Sequence, residues 1–145
     1  MTELLLAEAV QALSRLSRIV ERASDELSFA DYRVLSAIAA GEARASRLAN
    51  RLLLGKPTIS STIDSLSKRG LVVRATVEAD NRAIELSLSP EGAELLSRME
   101  ARMVRQLELL AARTPNPEQA IQSLGWFGSV IEESMAAHSL EAQPE

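Results

Sequence analysis

Within residues 48–92 the hydrophobic period switches from helical to alternating and back to helical, and no other feature constrains the fold as much. Leu48 and Leu52 share one face of a short helix over residues 45–53, and Gly55 breaks it. Pro57 falls in the first turn of the next helix, where its missing N–H costs nothing. Ile59, Ile63 and Leu66 stand at i, i+4 and i+7 and give that helix a single apolar face. Gly70 ends it. Ile84, Leu86 and Leu88 then alternate with Glu85, Ser87 and Ser89, the period of a half-buried strand. Residues 73–77 can pair with it antiparallel, and Glu78-Ala79-Asp80-Asn81 supplies turn chemistry between the two. Ser89-Pro90-Glu91 reads as an N-cap, a first-turn proline and an acid facing the helix dipole.

The flanking segments are helical. Leu6, Ala9, Leu13, Leu16, Val20 and Ala23 recur in steps of three and four through residues 2–24, with Arg15, Arg18 and Arg22 on the other side as a solvated face. Ser28-Phe29-Ala30-Asp31 resembles a capping box and opens a helix with Tyr32, Leu35, Ile38 and Ala39 inward, stopped by Gly41. After Pro90 a long helix carries Leu95, Leu96, Met99, Met103, Leu107 and Leu110. Thr114-Pro115-Asn116-Pro117 breaks it, and a last helix places Ile121, Leu124, Phe127, Ile131 and Met135 inward. The tail from Ser139 onward is expected to fray.

Composition narrows the chemistry. Aromatic residues make up only 3% of the chain, so the core must be aliphatic. The chain has no cysteine, which excludes disulfides, thiolate metal sites and cysteine nucleophiles. Its single histidine, His138, reads as a solvated residue near a helix end, so neither a histidine metal site nor a Ser-His-Asp triad is expected. Leu4, Leu5 and Leu6 are flanked by Glu3 and Glu8 without a basic leader, and no apolar run reaches the ~18 residues that span a bilayer. These features predict one cytoplasmic domain of 145 residues that is not an enzyme, carries no cofactor and makes no membrane contact.

Charge singles out the middle of the chain. Residues 33–82 hold nine Lys/Arg against four Asp/Glu, a local excess of +5, whereas the whole chain stands at −4. A basic segment within an acidic chain suits a polyanion-binding face on a non-sticky scaffold. The helix after Gly55 has the matching form. Its apolar back can anchor it to the domain, while Thr58, Ser60, Ser61, Ser65 and Lys68 offer a short polar front that fits a major groove. Asp80 and Arg82 at the hairpin suit a minor-groove contact, with a weak surface ion pair as the plainer reading. The order helix–turn–helix–hairpin is that of a winged helix-turn-helix. The predicted fold is mainly α with a small two-stranded β-wing. The lobe occupies residues 28–92, with helical dimerisation regions at 1–24 and 93–138. The competing reading is a winged helix that binds proteins rather than DNA.

The same residues resemble the MarR family (multiple-antibiotic-resistance regulators) of bacterial winged-helix proteins. The matching elements are Leu48-Ala49, the Thr58 to Ser61 hydroxyls, Leu66-Ser67-Lys68-Arg69-Gly70-Leu71-Val72-Val73-Arg74, Asp80-Asn81-Arg82-Ala83 and Leu88-Ser89-Pro90-Glu91-Gly92. Three positions depart from the pattern. Leu53 stands where a turn glycine is usual, which predicts a reshaped turn. Ser61 and Ser65 stand where the family often has Arg, which shifts base readout toward the wing and DNA shape. The resemblance implies a repressor that binds a palindromic duplex as a homodimer through its terminal helices, released by a small-molecule effector. The apolar stripes of those helices point to a dimer independently. The predicted DNA-binding set is Lys56, Pro57, Thr58, Ser60, Ser61, Ser65, Lys68, Arg74, Asp80 and Arg82. Tyr32, Trp126 and Phe127 are candidates to line an effector pocket, with plain core packing as the alternative for each.

Overall fold

The computed structural model describes residues 1–77 and 80–141, with backbone alone at residues 80–82 and 139–141. The described elements are α1 (Glu3–Glu21), α2 (Phe29–Ala39), α3 (Ala45–Leu52), α4 (Lys56–Lys68), β1 (Val72–Val77), β2 (Asp80–Leu88), α5 (Pro90–Ala111) and α6 (Pro117–Glu141). They form two compact units, Met1–Val104 and Arg105–Glu145. Among the described residues no helix is long and apolar enough to cross a membrane.

The core of the first unit is aliphatic, as the scarcity of aromatics requires. Leu35, Leu48, Ile59, Ile63, Leu66 and Met99 are its largest fully buried side chains. Burying each contributes roughly 2 kcal/mol, so the three from α4 fix that helix firmly against α2 and α3. Capping sets the helix ends. Ser28 Oγ accepts from the Asp31 N–H at 3.1 Å, and the Asp31 carboxylate accepts from the Ser28 N–H at 3.3 Å, a complete capping box. At the other end of α2, Gly41 has φ +103°, Gly41 N–H reaches the Ile38 carbonyl, and Glu42 N–H reaches that of Ala37. These paired bonds close a Schellman motif. On α2 the buried residues are Val34, Leu35, Ala37 and Ile38. Ala39, expected inward, is exposed because it lies ~100° around the helix from the buried Ile38, off the face that Val34, Ala37 and Ile38 share.

The turn between α3 and α4 is not reshaped. Leu53 takes φ 54° and ψ 36°, the left-handed conformation that glycine adopts freely. Leu53 N–H reaches the Asn50 carbonyl at 3.3 Å and Leu54 N–H that of Ala49 at 3.1 Å. The chain therefore keeps the glycine geometry with a leucine in it. The Cβ clash costs on the order of 1 kcal/mol.

β1 and β2 pair antiparallel, from Val72 against Leu88 to Thr76 against Ile84, with a register shift between Thr76 and Val77. Leu86 donates to the Ala43 carbonyl at 2.8 Å and so ties the sheet edge to the loop after α2. Leu86 is buried and Leu88 half-buried, but Ile84 on the same face is exposed, because the hairpin there has passed beyond the core. Asp80 and Asn81, expected in a turn, belong to β2; Glu78 and Ala79 lie outside the described residues.

Ser89 Oγ accepts from the Gly92 N–H at 3.0 Å and donates to the Gly70 carbonyl at 2.6 Å. One buried hydroxyl thus caps α5 and holds the residue that ends α4.

α1 has no buried residue, and Leu6, Ala9 and Leu13, expected inward, are exposed; Leu16 and Val20, and Ala23 just past its end, are half-buried. In the second unit Asn116 Oδ1 caps α6 by accepting from the Gln119 N–H at 3.1 Å. Ile121, Leu124, Phe127 and Ile131 are also exposed rather than inward, and Met135 is half-buried. Among the described residues nothing covers either stripe. α6 continues to Glu141, past the expected start of fraying; residues 142–145 lie outside the described residues.

Candidate nucleic-acid interface

The polar front predicted for α4 is present. With Ile59, Ile63 and Leu66 turned into the core, Thr58, Ser60, Ser61, Ser65 and Lys68 are left exposed, together with Lys56 and Pro57 at the helix start. Gly55 is the N-cap and Pro57 the second helical residue, so no backbone donor is lost. Pro57, Ser60, Ser61, Asp64, Ser65 and Lys68 line an open hollow of about 630 Å³ along this face. Three serine hydroxyls share it with the Asp64 carboxylate, Lys68 and Arg69, and each hydroxyl can donate or accept. Thr62 is occupied locally, its hydroxyl donating to the Thr58 carbonyl at 2.9 Å.

Residues 25–83 match the model of the MarR family, a span that takes in α2, α3, α4 and β1. This part of the chain is similar to the MarR family. Over 100 residues the chain is 28% identical to the HTH-type transcriptional regulator PecS of Dickeya dadantii (strain 3937), a match covering 62% of this chain and 60% of that protein. The chain thus spans less than two-thirds of the length of that curated relative. The crystal structure of the PcaV transcriptional regulator from Streptomyces coelicolor, in complex with its natural ligand, superposes with a TM-score of 0.63 at 26% identity, covering 92% of this chain and 91% of that one. The transcriptional repressor CouR, bound to a 23-mer DNA duplex, superposes with a TM-score of 0.67 at 21% identity over 87% of this chain and 88% of its own, a likeness of fold.

Two charged residues of this lobe behave in ways its sequence did not indicate. Arg74 on β1 forms an ion pair with Asp64, which stands among the α4 hydroxyls. The predicted interface therefore contains a carboxylate, and the Arg74 charge is matched within the chain. Arg69 donates to the Glu26 carbonyl at 2.8 Å and lies 3.8 Å from the Asp31 carboxylate, so it braces the end of α4 against the loop before α2. The Glu26 carboxylate in turn meets Arg98 at 3.1 Å and Arg102 at 3.5 Å on α5. No short sequence pattern marks either relation, since each pairs residues on different elements. Of the predicted wing residues, the side chains of Asp80 and Arg82 lie outside the described residues.

The three effector-pocket candidates fall in different surroundings. Tyr32 is half-buried in the first unit, stacked on Phe29 with ring centroids 5.7 Å apart, and its hydroxyl donates to Glu100 at 3.4 Å. Burial, and then the neighbouring Glu100 carboxylate, raise the Tyr32 phenol above its ordinary value. Trp126 and Phe127 belong to the second unit and are 55% and 70% exposed, so core packing within one chain does not account for them. A hollow of about 650 Å³ in that unit is lined by residues including Ala111, Ala112, Pro117 and Ile121, and by neither aromatic.

Proposed function

We propose that this chain is a sequence-specific, DNA-binding transcriptional regulator. It acts as a homodimer on a twofold-symmetric site, placing one α4 in each of two major-groove segments. The observation that carries this reading is the two-sidedness of α4. Three apolar residues are buried to 2% exposure or less, and directly opposite stands a narrow front of hydroxyls with a lysine at each end. Such a front matches the donor and acceptor edges of bases without crowding the groove. The cationic excess over residues 33–82 supplies the sequence-independent attraction.

The homodimer rests on the exposed leucines and isoleucines of α1 and α6, which a second copy would cover. Residues 1–24 and 93–138 form the dimerisation region around a DNA-binding lobe at 28–92. The protein works in the cytoplasm, most simply as a repressor, and carries out no catalysis. A small-molecule effector near the half-buried Tyr32 would release it; the ligand-bound state of PcaV supports that part of the reading.

Capture of genomic fragments by the purified protein tests the proposal, with salt titration of the strongest fragment. The expected result is a shared, twofold-symmetric motif and affinity that falls linearly with salt on logarithmic axes. Light scattering should return twice the 15.7 kDa chain mass. Failure to retain any duplex at low salt would instead favour a protein-binding winged helix.

A further inference from the structure

Leu53 is a residue that neither the turn nor the core requires. Its backbone is left-handed, the one such non-glycine residue among those described. Glycine or asparagine would sit there with less strain. Its side chain is 83% exposed, while Leu52 and Leu54 on either side are half-buried against the core. A large apolar group held outward at a conformational cost points to something it meets outside the chain.

The surroundings identify the chemistry of that partner. Between Glu42 and Asp64 the sequence holds Arg44, Arg47, Arg51 and Lys56 and no carboxylate. Leu53 lies inside this cationic stretch, three residues before Lys56 and five before Thr58, at the turn that leads into the hydroxyl face of α4. A polyanion is the complement of such a surface. On duplex DNA, the apolar groups within reach of a helix entering the major groove are deoxyribose carbons and the thymine C5-methyl.

We propose that Leu53 is a specificity-determining residue that packs on a thymine methyl beside the bases read by α4. This rests on the DNA-binding reading above. Loss of one methyl contact should lower affinity by a few-fold, much less than loss of the whole α4 surface.

The test uses the strongest duplex captured by the wild-type protein, with each thymine replaced in turn by deoxyuridine. Wild type should lose about four-fold in affinity at one thymine per half-site. Leu53→Asn and Leu53→Gly, which suit the left-handed turn, should bind the parent duplex correspondingly less well and show no loss at that thymine. Both should unfold at a higher urea concentration than wild type, which separates a lost contact from a damaged fold. If deoxyuridine substitutions leave wild type unaffected, or affect wild type and variants alike, the inference is overturned while DNA binding stands. A fall to monomer mass in the variants would assign Leu53 to a protein interface and overturn it as well. If wild type captures no duplex, both readings fall.

Discussion

Asp64 on the exposed face of α4 holds the guanidinium of Arg74 on β1. The two side chains are 54% and 40% exposed, so solvent screens the pair and its contribution to stability is at most about 1 kcal/mol. Its effect on charge is larger. The pair neutralises a cation at the predicted interface and sets a carboxylate where phosphates or bases would approach. Asp64→Asn should therefore tighten binding to any duplex and steepen the salt dependence by about one unit per subunit. Arg74→Ala should not steepen it. Anisotropy titrations on a non-cognate duplex at several salt concentrations measure both. An Asp64→Asn protein with unchanged slope would mean that Arg74 stays away from DNA.

Gly92 has a close neighbour that leaves no room for a side chain. A Cβ built there would stand 2.1 Å from the Leu71 carbonyl oxygen and 2.9 Å from its carbon. That carbonyl also accepts from the Ser89 N–H at 3.0 Å, so it cannot retreat without loosening the α5 cap. Gly92→Ala should destabilise the protein by about 2 kcal/mol or more, read as a lower urea midpoint. A change below about 0.5 kcal/mol would show that Leu71, just before β1, and α5 part easily.

Tyr32 is the sole tyrosine, so its ionisation can be followed by phenolate absorbance. Because burial and Glu100 raise its pKa, the folded protein should titrate above the ordinary phenol value of about 10. The sign for stability follows. Preference for the protonated phenol is fully present below the unfolded value and is lost as pH rises through the folded one. Tyr32→Phe should lose less stability than wild type on moving from neutral pH to that alkaline range. Titration at or below 10 would mean that the phenol is solvated.

Much of this architecture was legible in the sequence because it is set by local rules. The Ser28–Asp31 capping box, the Gly41 stop and the buried Ile59–Ile63–Leu66 stripe each depend on residues within one turn or a few turns of one another. The front of α4 followed from the same periodicity. What the sequence concealed depends on neighbours distant along the chain or absent from it. Asp64 reads as one more solvated helix residue until β1 brings Arg74 beside it. Leu53 suggested an altered turn, yet the turn kept its shape and the leucine took the strain. Ile84 keeps strand alternation but stands beyond the core. Phe127 and Ile131 have the periodicity of buried residues, yet both are exposed among the described residues.

The proposed regulator requires that α4 read bases with its hydroxyl face. Relative affinities across a randomised duplex library, compared for wild type and the Ser60→Ala/Ser61→Ala double variant, test it most directly. Both serines are exposed, so folding and dimer mass should be unchanged. Preference should collapse at one or two positions in each half-site, by about 1–3 kcal/mol per broken base contact, while affinity for non-cognate duplex is kept. An identical preference profile in the two proteins would contradict it.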